Sequence, residues 1–139
     1  MIFTAGYGSG LRAAELQRWL EAKDAVVADV RLVPASQFAE WRVSALRARL
    51  GSRYVHVRAF GNLAYRFGGP VRLEDELAGV LIVRELLRVR PVVLHCGCGS
   101  PRGCHRTDAA LAVQRVTGDE VRHLRRRDFW GQLDLLEGA

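Results

Sequence analysis

The sequence predicts a single α/β domain with a five-stranded, mostly parallel sheet and helices on both faces. Three observations predict it. Strand-like and helix-like segments alternate from end to end, the pattern of successive βαβ units. The 139 residues are enough for one domain and few for two. No linker-like change of composition, low-complexity tract or internal repeat divides the chain, so the domain is expected to span residues 1–139.

The apolar stretch Ile2 to Ala5 reads as the first strand, ending in Gly6-Tyr7-Gly8-Ser9-Gly10. Leu11 to Ala22 carries apolar residues at Leu11, Ala14, Leu16, Trp19 and Leu20, the spacing of one helical face. Ala25 to Val30 is the second strand, and Pro34 argues against regular structure after it. Val43 to Leu50 reads as a short helix closed by Gly51. Tyr54 to Val57 is the third strand. Phe60 to Pro70, with Gly61, Gly68 and Gly69 among aromatic residues, reads as a long functional or lid-like loop. Leu73 to Arg90 is the longest predicted helix, with Glu74, Asp75 and Glu76 at its start and Arg88 and Arg90 at its end, charges that complement the helix dipole. Val92 to His95 is the fourth strand, and Ser100-Pro101 reads as the N-cap and first position of a helix running to Val116. Glu120 to Leu124 is the fifth strand, and Asp128 to Leu136 forms a closing helix capped by Asp128.

In open parallel sheets ligands bind beyond the carboxyl ends of the strands, where strand order reverses. Four chain-distant groups fall there: Gly6-Tyr7-Gly8, Asp29 and Arg31, His56, and the segment Cys96 to Arg106. That segment holds all three cysteines, and His95 just precedes it. A thiol at a strand end, glycine amides, a helix N-terminus and two arginines are the parts of an oxyanion pocket.

Thr4-Ala5-Gly6-Tyr7-Gly8, Asp29-Val30-Arg31 with Pro34 after it, Tyr54-Val55-His56, the Phe60-Gly61 pair, and Cys96 followed after seven residues by Cys104-His105-Arg106 resemble the domain-of-unknown-function 488 family of bacteria and archaea. The resemblance spans nearly the whole chain and implies a compact α/β fold; it implies no activity. Tyr7, Asp29, Arg31, His56, Cys96, Cys104, His105 and Arg106 are the matching positions. Cys98, where the family has an acidic residue, and Arg102 lie outside the pattern.

The chemistry admits three readings. Cys96 and Arg102, separated by five residues that include glycine, have the spacing of a cysteine-phosphatase loop, which sulfur-transfer proteins also use. There the loop amides and arginine hold an oxyanion while a thiolate attacks. Gly103 stands where such phosphatases carry serine or threonine. In the second reading Cys96, Cys98, Cys104 and His105 hold a metal, zinc or iron, since thiolates and imidazoles suit both. Adjacent helical positions diverge by roughly a hundred degrees, which argues against joint ligation by Cys104 and His105, so no metal or other cofactor is assigned. In the third the cysteines are small core residues. His56 is equally a satisfied sheet histidine, and Asp29 with Arg31 equally a fixed ion pair.

The resulting expectation is a small enzyme acting on a phosphorylated, nucleotide or nucleic-acid substrate. Cys96, Cys104, His105 and Asp29 are the candidate catalytic residues, with Asp29 as general base or as the group that orients Arg106. Tyr7, Gly8, Arg31, Arg102 and Arg106 are the candidate anion-binding residues. The competing class is a non-catalytic nucleic-acid or ligand-binding module, favoured by the net charge of +6 and by the run Arg122-His123-Leu124-Arg125-Arg126-Arg127 beside Trp130. Against it, the arginines are scattered over helix faces, where solvated charge is ordinary. No apolar run approaches the ~20 residues of a membrane span, and Met1 leads straight into strand-like sequence without a signal segment. A cytoplasmic protein without membrane partners is therefore expected; nothing in the sequence sets its oligomeric state.

Overall fold

The computed structural model describes residues 1–130. Five strands, β1 (Ile2–Gly6), β2 (Val26–Asp29), β3 (Tyr54–His56), β4 (Val92–Cys96) and β5 (Val121–His123), form one sheet in the order β3-β2-β4-β1-β5. All pairings are parallel. The crossovers are α1 (Ala13–Lys23), α2 (Val43–Leu50), α3 (Glu76–Leu87) and α4 (His105–Thr117).

Side-chain alternation along the buried strands divides the core in two. Val92, Leu94 and Cys96 of β4 pack with Val80 and Val83 of α3 and Ala109 and Val113 of α4. Val93 points the other way, to join Leu16 and Leu20 of α1 and Leu46 and Leu50 of α2. The chain first steps β1 to β2 to β3 across one half of the sheet, then returns from β3 to β4 and crosses to β5. Right-handed crossovers running in opposite directions put their helices on opposite faces. The connection leaving β4 therefore turns away from those leaving both neighbours, β1 and β2, and a crevice opens beyond its carboxyl end.

Several element starts differ from the sequence reading, each for a local reason. Helix α3 begins at Glu76 rather than Leu73, because the Asp75 carboxylate accepts from the Ala78 amide at 3.1 Å and Glu74 pairs with Arg58 at 2.7 Å. Helix α1 begins after Arg12, whose amide donates to Glu15 at 2.9 Å. Ser100-Pro101 does not start α4: Ser100 Oγ accepts from the Arg102 amide at 3.2 Å, Gly103 adopts φ +72°, and the N-cap is Cys104. Asp128 is not an N-cap. Helical residues begin at 126, and its carboxylate reaches back to the Arg125 amide at 2.7 Å; the remainder of the expected helix lies outside the described residues. The stretch from Phe60 to Pro70 is anchored at its start, with Phe60 fully buried and Asn62 bridging antiparallel to Leu73. Among the described residues no helix is long and apolar enough to cross a membrane.

Candidate functional site

Strand register builds the site. Gly6 lies beside Cys96 and Ala5 beside His95, while Asp29 lies beside His95 from the other flank. Strand alternation then sends Cys96 and His95 to opposite faces, and two polar clusters form back to back.

The first cluster is sulfur-rich. Cys96 Sγ lies 3.1 Å from Cys104 Sγ and accepts from the Cys98 amide at 3.4 Å. The three cysteine sulfurs all lie within 4.8 Å of one another. Arg106, 1 % exposed, projects from the first turn of α4 into this group. Its Nη1 donates to Cys96 Sγ at 3.1 Å and to Cys98 O at 3.1 Å, and its Nε to Thr4 Oγ1 at 3.4 Å. Among the described residues no carboxylate pairs with Arg106. A guanidinium keeps its charge at physiological pH, and a buried charge needs a counter-charge. The ionisable groups in its hydrogen-bond contacts are thiols, so this environment favours a thiolate. Hydrogen bonding from Cys104, then from Cys98, with the Arg106 charge, holds the Cys96 thiol well below the ordinary range, against the opposing effect of burial. Cys104 is pushed up, first by its hydrogen bond to Cys96. His105 Nε2 lies 2.9 Å from Val30 O. The carbonyl can only accept, so Nε2 carries the proton. In the neutral ring that leaves the Nδ1 lone pair free, 3.9 Å from Cys104 Sγ.

The second cluster is centred on an ion pair. Arg31 Nε and Nη2 donate to the two oxygens of Asp29 at 2.9 and 2.6 Å, and Tyr54 Oη donates to Asp29 Oδ2 at 2.6 Å. Burial alone would push the Asp29 carboxyl up; the hydrogen bonds and charge of Arg31 more than reverse this, leaving it below the usual range. Because Arg31 uses one edge of its guanidinium on Asp29, Nη1 projects from the opposite edge. Among the described residues that Nη1 has no hydrogen-bond partner. The guanidinium lies over the Tyr7 ring, 5.7 Å from its centroid. Tyr7 stacks on Trp41 at 4.9 Å and 13°, and Trp41 on His95 at 4.9 Å. Burial holds His95 neutral, its pKa down at about 4.

A cavity of about 470 Å³ opens where the clusters meet the surface, walled by Tyr7, Arg31, Cys98, Cys104 and His105 together with Asn62 and Tyr65. The structure thus brings Tyr7, Arg31, Cys104 and His105 to one space, with Cys96 and Arg106 buried behind Cys98 and Cys104. Other expectations are corrected. Asp29 neither orients Arg106 nor is free to act as a base: both its oxygens are occupied by Arg31 and Tyr54, on the opposite face of the sheet from Arg106. Arg102 is exposed, because the turn through Gly103 carries it outward, and Arg106 takes the place beside Cys96. Gly8 does not face the cavity; it packs against Gly97 and Gly99 so closely that a Cβ would lie 2.5 Å from Gly97 O. His56 is a satisfied sheet histidine, 2.7 Å from Arg31 O. Within the basic run, Arg122 pairs with Asp128 and Arg126 with Glu15. The argument from diverging helical positions fails for Cys104 and His105, since Cys104 is an extended N-cap with φ −95° and ψ 138°.

Some participants escaped the sequence reading. Thr4 receives from Arg106 and lies 2.6 Å from His123 Nδ1; its only signal was a hydroxyl inside an apolar strand. Trp41 and Asn62 carried none. Fold and site together define an all-parallel α/β domain with a thiol cluster and a cation-walled cavity at the carboxyl edge of the sheet. No family model, curated protein or solved structure matches the chain.

Proposed function

We propose that this protein is a small enzyme that binds a phosphorylated or otherwise anionic substrate in the cavity and acts on it with the cysteine cluster. The observation that carries this reading is Arg31: a guanidinium held by Asp29, stacked over Tyr7 and left with a buried Nη1 that has no partner among the described residues, on a residue that walls the cavity with two thiols and an imidazole. A cation fixed in advance spends no conformational freedom on binding an anion, and a guanidinium edge suits phosphate or carboxylate oxygens. The cavity exceeds the volume of a bare phosphate and lies within the size range of small-molecule sites. It therefore suits an anionic group attached to an organic body that lies against Tyr7 and Tyr65. Cys98 and Cys104 face the substrate, whereas Cys96 is fully buried and holds charge against Arg106. His105 Nδ1 is placed to take a proton.

The test is a thermal-shift panel at constant ionic strength, with phosphate, sulfate, nucleoside monophosphates and simple phosphomonoesters against chloride, followed by turnover of whichever organic anions bind. Saturation at about 100 times Kd stabilises by about 2.7 kcal/mol, so organic anions should raise Tm by several degrees. Cys104→Ser should abolish turnover while leaving the shift. Absence of any anion-specific shift at millimolar concentration overturns the reading.

A further inference from the structure

We infer that the three cysteines form a binding site for a soft divalent cation, zinc in class, with Cys96, Cys98 and Cys104 as ligands and the remaining coordination position facing the cavity. The inference deepens the reading above by naming a cofactor for the same site, although the metal site can stand without the substrate assignment.

Three arguments carry it. The first is geometric. Thiolates bound about 2.3 Å from one ion stand about 3.8 Å apart at tetrahedral angles. The three sulfurs already lie within 4.8 Å of one another; opening Cys96–Cys104, now 3.1 Å apart, by about 0.7 Å and closing any pair at the outer limit by about 1 Å completes the set. The ligands come from a strand end and a helix N-cap, both anchored in the core, with Cys98 on the short loop between them.

The second argument is charge. Three thiolates and one divalent cation leave a single negative charge, which the buried guanidinium of Arg106 cancels through its hydrogen bonds to Cys96 and, at 3.7 Å, to Cys104. A monovalent ion would leave a net negative charge in a site where Cys96 and Cys104 are 0 % and 3 % exposed, which a low-dielectric interior disfavours. Arg106 thus serves as a donor to the metal-bound sulfurs, the kind of supporting contact that tunes ligand basicity.

The third is the open side. Cys98 and Cys104 border the cavity with His105 next to them, so the fourth position opens toward solvent and substrate rather than into the core. Three protein ligands with one exchangeable position is the arrangement of catalytic zinc. A metal there would polarise what binds in the open position, with the His105 ring, fixed by the Val30 carbonyl at 2.9 Å, beside it in the cavity wall. Ligation also displaces any proton remaining on the three thiols to solvent.

The test measures metal directly. Protein purified without chelator should carry close to one equivalent of zinc. After stripping, titration with Co²⁺ should give the intense near-ultraviolet sulfur-to-cobalt band of a multi-thiolate site, saturating at one equivalent. Cys98→Ser alters an exposed side chain and should leave the fold intact by circular dichroism. It should weaken Co²⁺ binding by more than tenfold, since even groups outside the first shell are worth about 10–100-fold. Phosphate added to the cobalt protein should change its visible spectrum. Saturation without a thiolate band, less than a tenth of an equivalent bound, or unchanged affinity in folded Cys98→Ser overturns the site. A phosphate-insensitive spectrum overturns the open position. Metal binding without any anion-specific thermal shift would retain the metal site and remove the substrate reading; the reverse result would do the opposite.

Discussion

At the scale of single residues, the site depends on side chains whose roles are set by partners far away in the chain. Asp29 stands out in the sequence as a charge in an apolar strand, but its role depends on Tyr54, which only strand pairing brings to it. Its carboxyl is held below the usual range by Arg31, which fixes the sign of a pH effect. The stabilisation is complete above the unfolded carboxyl pKa of about 4 and is lost as pH falls through and below it, because the unfolded chain then binds the extra proton. Asp29→Asn leaves Arg31 buried without its counter-charge and should cost about 3–5 kcal/mol at neutral pH. Urea melts across pH 7 to 3 should show an acid limb in the wild type that is shallower in the variant; parallel curves would sink the assignment. The resemblance set Arg106 above Arg102, but the physical reason was not legible, because motif spacing counts residues and cannot register that Gly103 takes a left-handed conformation and turns Arg102 outward.

Secondary-structure elements were the most legible level, and their ends the least. Apolar runs placed β1, β2 and β4, since an inner parallel strand is buried on both faces and reads as largely continuous hydrophobic sequence. The edge strands β3 and β5, half-buried and carrying His56, Arg122 and His123, were placed by β-branched and aromatic residues between turn signals and by the alternation of elements. Helix starts shifted wherever a polar side chain captured an amide, as Asp75 and Glu15 do. The approach of two loops was invisible. Gly6 has φ −144° and ψ 132°, a conformation open to any residue, so its glycine is required by space alone: a Cβ there would overlap Cys98 O and lie 2.5 Å from Arg106 Nη1. Gly6→Ala should force the Cys96 to Cys98 turn away from β1, costing about 1–3 kcal/mol as overpacking does. Metal-free variant protein should also alkylate at Cys96 faster than metal-free wild type, read by mass spectrometry after brief iodoacetamide exposure. A wild-type Tm together with a wild-type labelling rate would refute the steric account.

For the whole molecule, the arginines behind the net charge of +6 are scattered along the sequence, and in the basic run Arg122 pairs with Asp128 and Arg126 with Glu15. Oligonucleotide binding measured by fluorescence anisotropy should accordingly be weak, indifferent to sequence, and gone by about 100 mM salt. Tight, sequence-dependent binding at that ionic strength would instead favour a nucleic-acid module. The order of strands in space has a consequence for biosynthesis. Among the described strands β1 leaves the ribosome first, and its neighbours there are β4 and β5, so its Ile2 has no partner among them until Val92 has been translated. Such separation in sequence slows folding. Until Val92 is made, β1 stays an unpaired apolar strand, and the cavity wall that follows it closes only once Cys98 to His105 have emerged.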